Sequence, residues 1–201
     1  MNTFYAICSK GALLYYKIFY KLELIGKENI DGQQNYVICG NHSSLHDPFL
    51  LGGVLPLQAR FMSKKENFKY KIVSWVLDKV GVFPVDRDGN DIKAIKIALT
   101  VLKQNDNLAL FPEGTRNKGT EPLPVKAGVA MLAIRTKTPI LPITIDSTFK
   151  LFSRIRVTFH KPVVLEAYYD QKVDSETLER LSQNIISNIY KSIGIDKSEN
   201  L

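Results

Sequence analysis

Cysteine and histidine are both scarce in this chain of 201 residues, and tryptophan occurs once. The two cysteines, Cys8 and Cys39, lie far apart. No cleavable signal pattern opens the chain, so a disulfide framework has no support and a reducing compartment is expected. The three histidines, His42, His46 and His160, are scattered and form no ligand set, so neither a structural nor a catalytic metal is expected. A Gly-x-Ser-x-Gly elbow is missing, which argues against a serine acyl-enzyme. Zinc spacings, RNA-binding aromatic motifs and long arginine tracts are missing too, which argues against a nucleic-acid partner. No repeat or low-complexity linker divides the sequence, and its size suits one domain with a sizeable core.

Basic residues number 27 and acidic residues 20, for a formal charge of +7. Such a surplus favours an anionic partner, whether a phosphorylated substrate or an anionic lipid surface. The segment Phe4 to Tyr20 is apolar and aromatic, with Lys10, Lys17 and Lys21 interrupting it at spacings that put them on one side of a helix. Tyr15, Tyr16, Phe19 and Tyr20 suit a headgroup boundary. Residues 1–21 are therefore expected to form an amphipathic helix lying on a membrane rather than crossing it. The plainer alternative is a helix packed on the domain that follows, residues 22–201.

Beyond it, β-favouring runs alternate with helical patterns. Strands are expected at Leu22 to Ile25, Tyr36 to Cys39, Arg60 to Met62, Val82 to Val85, Leu108 to Phe111, Ile140 to Ile145 and Ile155 to Phe159. Helices are expected at Pro48 to Val54, Tyr70 to Val80, Asp91 to Lys103, Lys126 to Thr136 and Ser175 to Ser192. This alternation predicts an α/β class, a single domain with a central sheet flanked by helices.

Two runs carry chemistry. Gly40-Asn41-His42-Ser43-Ser44-Leu45-His46-Asp47-Pro48 follows an expected strand. Asp47 before Pro48 suits a helix start. A histidine at the strand exit that turns back to this carboxylate would have its tautomer fixed and one ring nitrogen left as a base. Taken alone, the pair is explained better by Asp47 as a plain helix cap and His42 as an ordinary loop residue. His46 adjoins Asp47 too closely for an easy contact, so it ranks below His42, and His160 is remote. Phe111-Pro112-Glu113-Gly114-Thr115-Arg116 follows another expected strand. Its glycine permits close backbone approach, and its arginine fork matches phosphate oxygens, although the run is also an ordinary turn with a surface charge.

In this order the two runs resemble the glycerolipid acyltransferase family, marked by Asn-His-x4-Asp and then Phe-Pro-Glu-Gly-Thr-Arg. Gly81-Val82-Phe83-Pro84-Val85-Asp86-Arg87 and Ile140-Leu141-Pro142-Ile143-Thr144-Ile145 match two weaker family blocks. The resemblance spans about Leu22 to His160. It implies a glycerol-3-phosphate acyltransferase-like fold and transfer of an acyl group to the free hydroxyl of lysophosphatidic acid. The implied donor is acyl-CoA or acyl carrier protein, with no cofactor. Glycerol-3-phosphate or another lysophospholipid is the alternative acceptor, and a peripheral anionic-lipid-binding protein is the non-enzyme alternative. The family assigns His42 as base, Asp47 as its partner, and Glu113, Gly114, Thr115 and Arg116 to the acceptor. Lys64, or else Lys65, would join Arg116 at the phosphate, and Arg87 would add charge. Lys126 and Gly128 are weaker candidates, because they read first as a helix start. The implied location is the cytoplasmic face of the cell membrane, held peripherally.

Overall fold

Runs of Val, Ile and Leu favour extended backbone, and the polar and glycine-containing stretches between them release the chain into helices and turns. The computed structural model describes residues 2–86 and 91–194. Its elements are α1 (Thr3–Phe19), β1 (Lys21–Ile25), β2 (Val37–Gly40), α2 (His46–Val54), β3 (Ala59–Lys64), α3 (Lys71–Lys79), β4 (Phe83–Val85), α4 (Ile92–Lys103), β5 (Asn107–Leu110), α5 (Gly128–Thr136), β6 (Ile140–Ser147), β7 (Arg154–Phe159) and α6 (Ser175–Tyr190). Each strand and helix expected above is present, with ends displaced by no more than two residues. Side-chain caps set several helix starts: Asn2 accepts from the Tyr5 amide, Asp91 from Ala94 and Asp174 from Thr177.

The seven strands form one sheet in the order β1-β7-β6-β2-β5-β3-β4. Strands β6, β2, β5, β3 and β4 run parallel, β7 is antiparallel to β6, and β1 is parallel to β7. Strand β2 lies inside the sheet and all four of its residues are buried, as its unbroken apolar sequence demands. Successive side chains serve opposite faces. Val37 and Cys39 join a core formed with α4, α5 and α6, whereas Ile38 joins one formed with α1 and α2. The chain is thus a three-layer sandwich, and the carboxyl ends of β2, β3, β4 and β5 all emerge at one edge.

Helix α1 departs from the simple amphipathic expectation. Tyr5 and Tyr16 on one face are buried against the domain. A Cβ added to Gly53 of α2 would lie 2.9 Å from the Leu13 amide nitrogen, so glycine is what permits this close helix approach. The outer face is not polar either. Ile7, Leu14 and Ile18 are exposed on it, and Lys10 and Lys17 stand beside them rather than opposite. Among the described residues, no helix is long and apolar enough to cross a membrane.

Candidate active site

Because β2 and β5 are parallel neighbours, the loops leaving their carboxyl ends meet. The β2 exit is locked first by Asn41. Its side-chain oxygen accepts from the Ile145 amide at 2.8 Å and its amide nitrogen donates to the Ile145 carbonyl at 2.9 Å, continuing the sheet pairing to β6 with a side chain. His42 follows, with 8% of its surface exposed. Its ring stacks on Phe111 from the β5 exit at 4.3 Å between centroids.

His42 Nδ1 lies 2.8 Å from Asp47 Oδ2, and the Asp47 side chain is fully buried. The amides of Ser43 and Ser44 donate to the same oxygen, each at 2.7 Å. A carboxylate oxygen that already receives two N–H bonds is an acceptor, so Nδ1 is the donor of this pair, and in the neutral ring that tautomer leaves the lone pair on Nε2. The helix-cap expectation for Asp47 is corrected here. Helix α2 begins at His46 after Leu45 at the cap position, and the carboxylate turns backwards over the loop.

Glu113 also departs from the acceptor-binding role that the family resemblance implies. Its carboxylate is buried and turned into the protein. Oε1 accepts from Asn117 Nδ2 at 2.7 Å, from the Leu123 amide at 3.1 Å and from the Tyr190 hydroxyl at 2.9 Å. Oε2 accepts from the same hydroxyl at 3.0 Å and faces the His42 amide at 3.4 Å. The Asn117 amide donates to the His42 carbonyl at 2.7 Å. Protein donors therefore occupy Glu113, and the buried charge ties the β5 exit loop and α6 to the histidine backbone. Burial first, and Glu113 second, hold the Tyr190 hydroxyl well above its ordinary pKa. Burial, and then Glu113, likewise push the Cys39 thiol up, so it stays a buried thiol.

The remaining candidates divide by exposure. Gly114, Thr115 and Arg116 are exposed on the β5 exit loop, and Gly114 adopts a φ of 64°, a left-handed turn that favours glycine. Among the described residues Arg116 has no ion-pair partner. Lys64 ends β3, next to β5 at the same sheet edge, and is exposed, likewise without an acidic partner among those residues. Lys65 differs, since its ammonium pairs with Asp86. Arg87 lies outside the described residues. His46 faces α1, with Nδ1 3.2 Å from the Tyr16 hydroxyl and its ring stacked on Phe149. There it borders an apolar pocket of about 290 Å³ lined by Ala12, Tyr15, Tyr16 and Phe49. His160 contacts Thr144. Lys126 lies just before α5, which Gly128 opens. Asn117 and Tyr190 carry the scaffold of the site without having been marked by any local motif, and Asn41, although it opens the first motif, had been given no role of its own.

A family model described as "Acyltransferase" matches residues 21–146, which include both loops. The chain belongs to the acyltransferase family. It is 33% identical over 139 residues to the 1-acyl-sn-glycerol-3-phosphate acyltransferase of Bacillus subtilis, covering 69% of each chain. It is 33% identical to the protein of the same name from Streptococcus pneumoniae, covering 76% of this chain and 58% of that one. It is 27% identical to the one from Borreliella burgdorferi, covering 90% and 73%. The fold matches the crystal structure of the 1-acyl-sn-glycerophosphate (LPA) acyltransferase PlsC from Thermotoga maritima with a TM-score of 0.76 at 23% identity, over 93% of this chain and 78% of that one.

Proposed function

We propose that this acyltransferase moves a fatty acyl group from a thioester to the sn-2 hydroxyl of 1-acyl-glycerol-3-phosphate, forming phosphatidic acid at a membrane surface. The observation that carries the reading is the buried 2.8 Å contact between His42 and Asp47, beside a loop that presents Arg116, exposed and without an ion-pair partner among the described residues. His42 Nε2 takes the proton of the acceptor hydroxyl as its oxygen bonds to the thioester carbonyl carbon. Asp47 orients the ring and stabilises the imidazolium. The tetrahedral intermediate then expels the thiolate, the C–S bond breaks, and His42 returns the proton to sulfur. Burial on two sides, by Phe111 and by the sheet, limits water as a competing nucleophile.

Arg116 and Lys64 bind the acceptor phosphate in this account, and Thr115 and the Gly114 backbone border it. Lys65 and Arg87 add positive potential, the former damped by Asp86. Glu113 acts on the acceptor only through the loop it holds. The names of the relatives support lysophosphatidic acid as acceptor, and the basic surplus suits acyl-CoA and acyl carrier protein alike as donor. No cofactor enters the reaction. The protein works peripherally on the cytoplasmic face of the cell membrane, with the exposed apolar face of α1 in the headgroup region.

The test is a panel of acceptors in vesicles with each donor: lysophosphatidic acid, glycerol-3-phosphate and lysophosphatidylcholine. Lysophosphatidic acid is expected to be consumed fastest, and Arg116→Ala to raise its KM by about tenfold or more, as loss of a bidentate phosphate contact should. Equal use of the zwitterionic acceptor, with no effect of Arg116→Ala, would remove the phosphate-clamp reading.

A further inference from the structure

Helix α3 has an unusual environment. None of its nine residues is buried, although its sequence, Lys71 to Lys79, carries Ile72, Val73, Trp75, Val76 and Leu77. Ile72 is 80% exposed and Trp75 53% exposed, and the spacing of 72, 73, 75 and 76 places these side chains on one side of the helix. A globular domain normally turns such a stripe inwards. Here Leu77 and Ser74 are the half-buried residues, so the apolar stripe faces out.

The stripe is not isolated. The Trp75 ring meets Phe4 of α1 edge-on, at 5.5 Å between centroids. From Phe4 the exposed apolar row runs along α1 through Ile7, Leu14 and Ile18. At its far end the Phe152 amide donates to the Phe19 carbonyl, which brings exposed Leu151 and Phe152 alongside. The apolar surface therefore spans the whole length of α1, about 25 Å at the rise of an α-helix. A patch this long on a protein surface marks a docking face.

Charge identifies the occupant. Residues 64–79 carry Lys64, Lys65, Lys69, Lys71 and Lys79 against Glu66 and Asp78. All five lysines are exposed, and Lys10 and Lys17 border the row on α1. Apolar side chains edged by lysines, with a tryptophan and tyrosines at the margin, match the boundary of an anionic bilayer. We propose that α3 is a second membrane-inserting element, which enters the headgroup region beside α1 and carries Trp75 into it. The proposal rests on the membrane-surface reading above and extends it to an element outside both sequence motifs. Two contacts instead of one fix the rotation of the domain on the bilayer. Lys64, at the amino-terminal side of the same segment, is then held at phosphate level.

Trp75 is the sole tryptophan, so its emission reports on α3 alone. The intact protein is mixed with phosphatidylcholine vesicles with and without roughly 30% phosphatidylglycerol, a fraction that gives a strongly negative surface. Vesicle sedimentation, Trp75 emission, quenching by brominated lipid and acyl transfer are measured on the same samples. The expected result is at least about tenfold tighter binding to the anionic vesicles, a blue shift on binding, and quenching by bromines placed high on the acyl chains. Ile72→Glu combined with Val76→Glu, both at exposed positions, is expected to weaken binding about tenfold without changing the circular dichroism spectrum. Sedimentation with active transfer but an unshifted, acrylamide-accessible Trp75 would overturn the role of α3 and leave the membrane enzyme intact. Failure to bind any vesicle would overturn both. A blue shift that grows with protein concentration in the absence of lipid would assign the face to a second copy of the chain and overturn the proposal.

Discussion

Replacing Tyr190 by phenylalanine removes one oxygen from the centre of the site and leaves no cavity. That hydroxyl shares its single proton between the two Glu113 oxygens, at 2.9 and 3.0 Å, and accepts from Asn117 Nδ2 at 2.9 Å. Without it, Oε1 retains Asn117 and the Leu123 amide, whereas Oε2 is left with the 3.4 Å contact to the His42 amide. A buried hydrogen bond to a charged group contributes about 1.5–3 kcal/mol. Tyr190→Phe should therefore lower stability by about 2 kcal/mol, or the melting temperature by roughly 4–8 °C for a domain of this size. Turnover should fall as well, because Glu113 and Asn117 hold the backbone of His42. A misplaced base lowers kcat, by about three- to a hundredfold, while the acceptor KM stays close to wild type because Arg116 is untouched. Calorimetry and initial rates across acceptor concentrations give both numbers. An unchanged melting temperature, or a raised KM with normal kcat, would refute the role of this network.

Two further outcomes follow from packing and burial. Gly53→Ala puts a methyl carbon 2.9 Å from the Leu13 backbone and 3.2 Å from the Ala12 Cβ, so α1 must move from α2. A loss of about 1–3 kcal/mol is expected in denaturant unfolding. Cys39→Ala and Ser43→Ala should both retain most turnover, since the Cys39 thiol is buried and held protonated, and Ser43 serves Asp47 through its backbone amide. Mass spectrometry of a rapidly quenched reaction should find no acyl group on either residue, and a kinetically competent acyl-cysteine or acyl-serine would contradict the direct-transfer mechanism.

Much of this architecture was legible because local patterns and tertiary structure agree. Strands β2 and β6 are runs of β-branched and apolar residues that end in Gly40 and Ser147, and their internal position in the sheet explains why they lack polar alternation. Strand order was not legible, since no local pattern records that β5 inserts between β2 and β3. The pairing of His42 with Asp47 could be read from spacing, whereas the two serine amides that draw the carboxylate backwards are backbone groups and leave no trace in composition. Glu113 shows the limit of a motif: its neighbour Arg116 faces solvent as a ligand-binding residue would, yet Glu113 itself points inwards, to partners as distant in sequence as Tyr190. The alternation of exposed and buried faces on α1 was also hidden, because both faces are apolar and only packing distinguishes them.

If His42 is the base for acyl transfer, its loss is felt in the chemical step itself, which the single-turnover rate of His42→Ala against wild type reads, with vesicle-borne lysophosphatidic acid and a thioester donor. General-base catalysis predicts a loss of about 10²–10⁴-fold, with vesicle binding and acceptor affinity retained. A variant within a few-fold of the wild-type rate would contradict the account, and the reacting proton would then have to leave by another group.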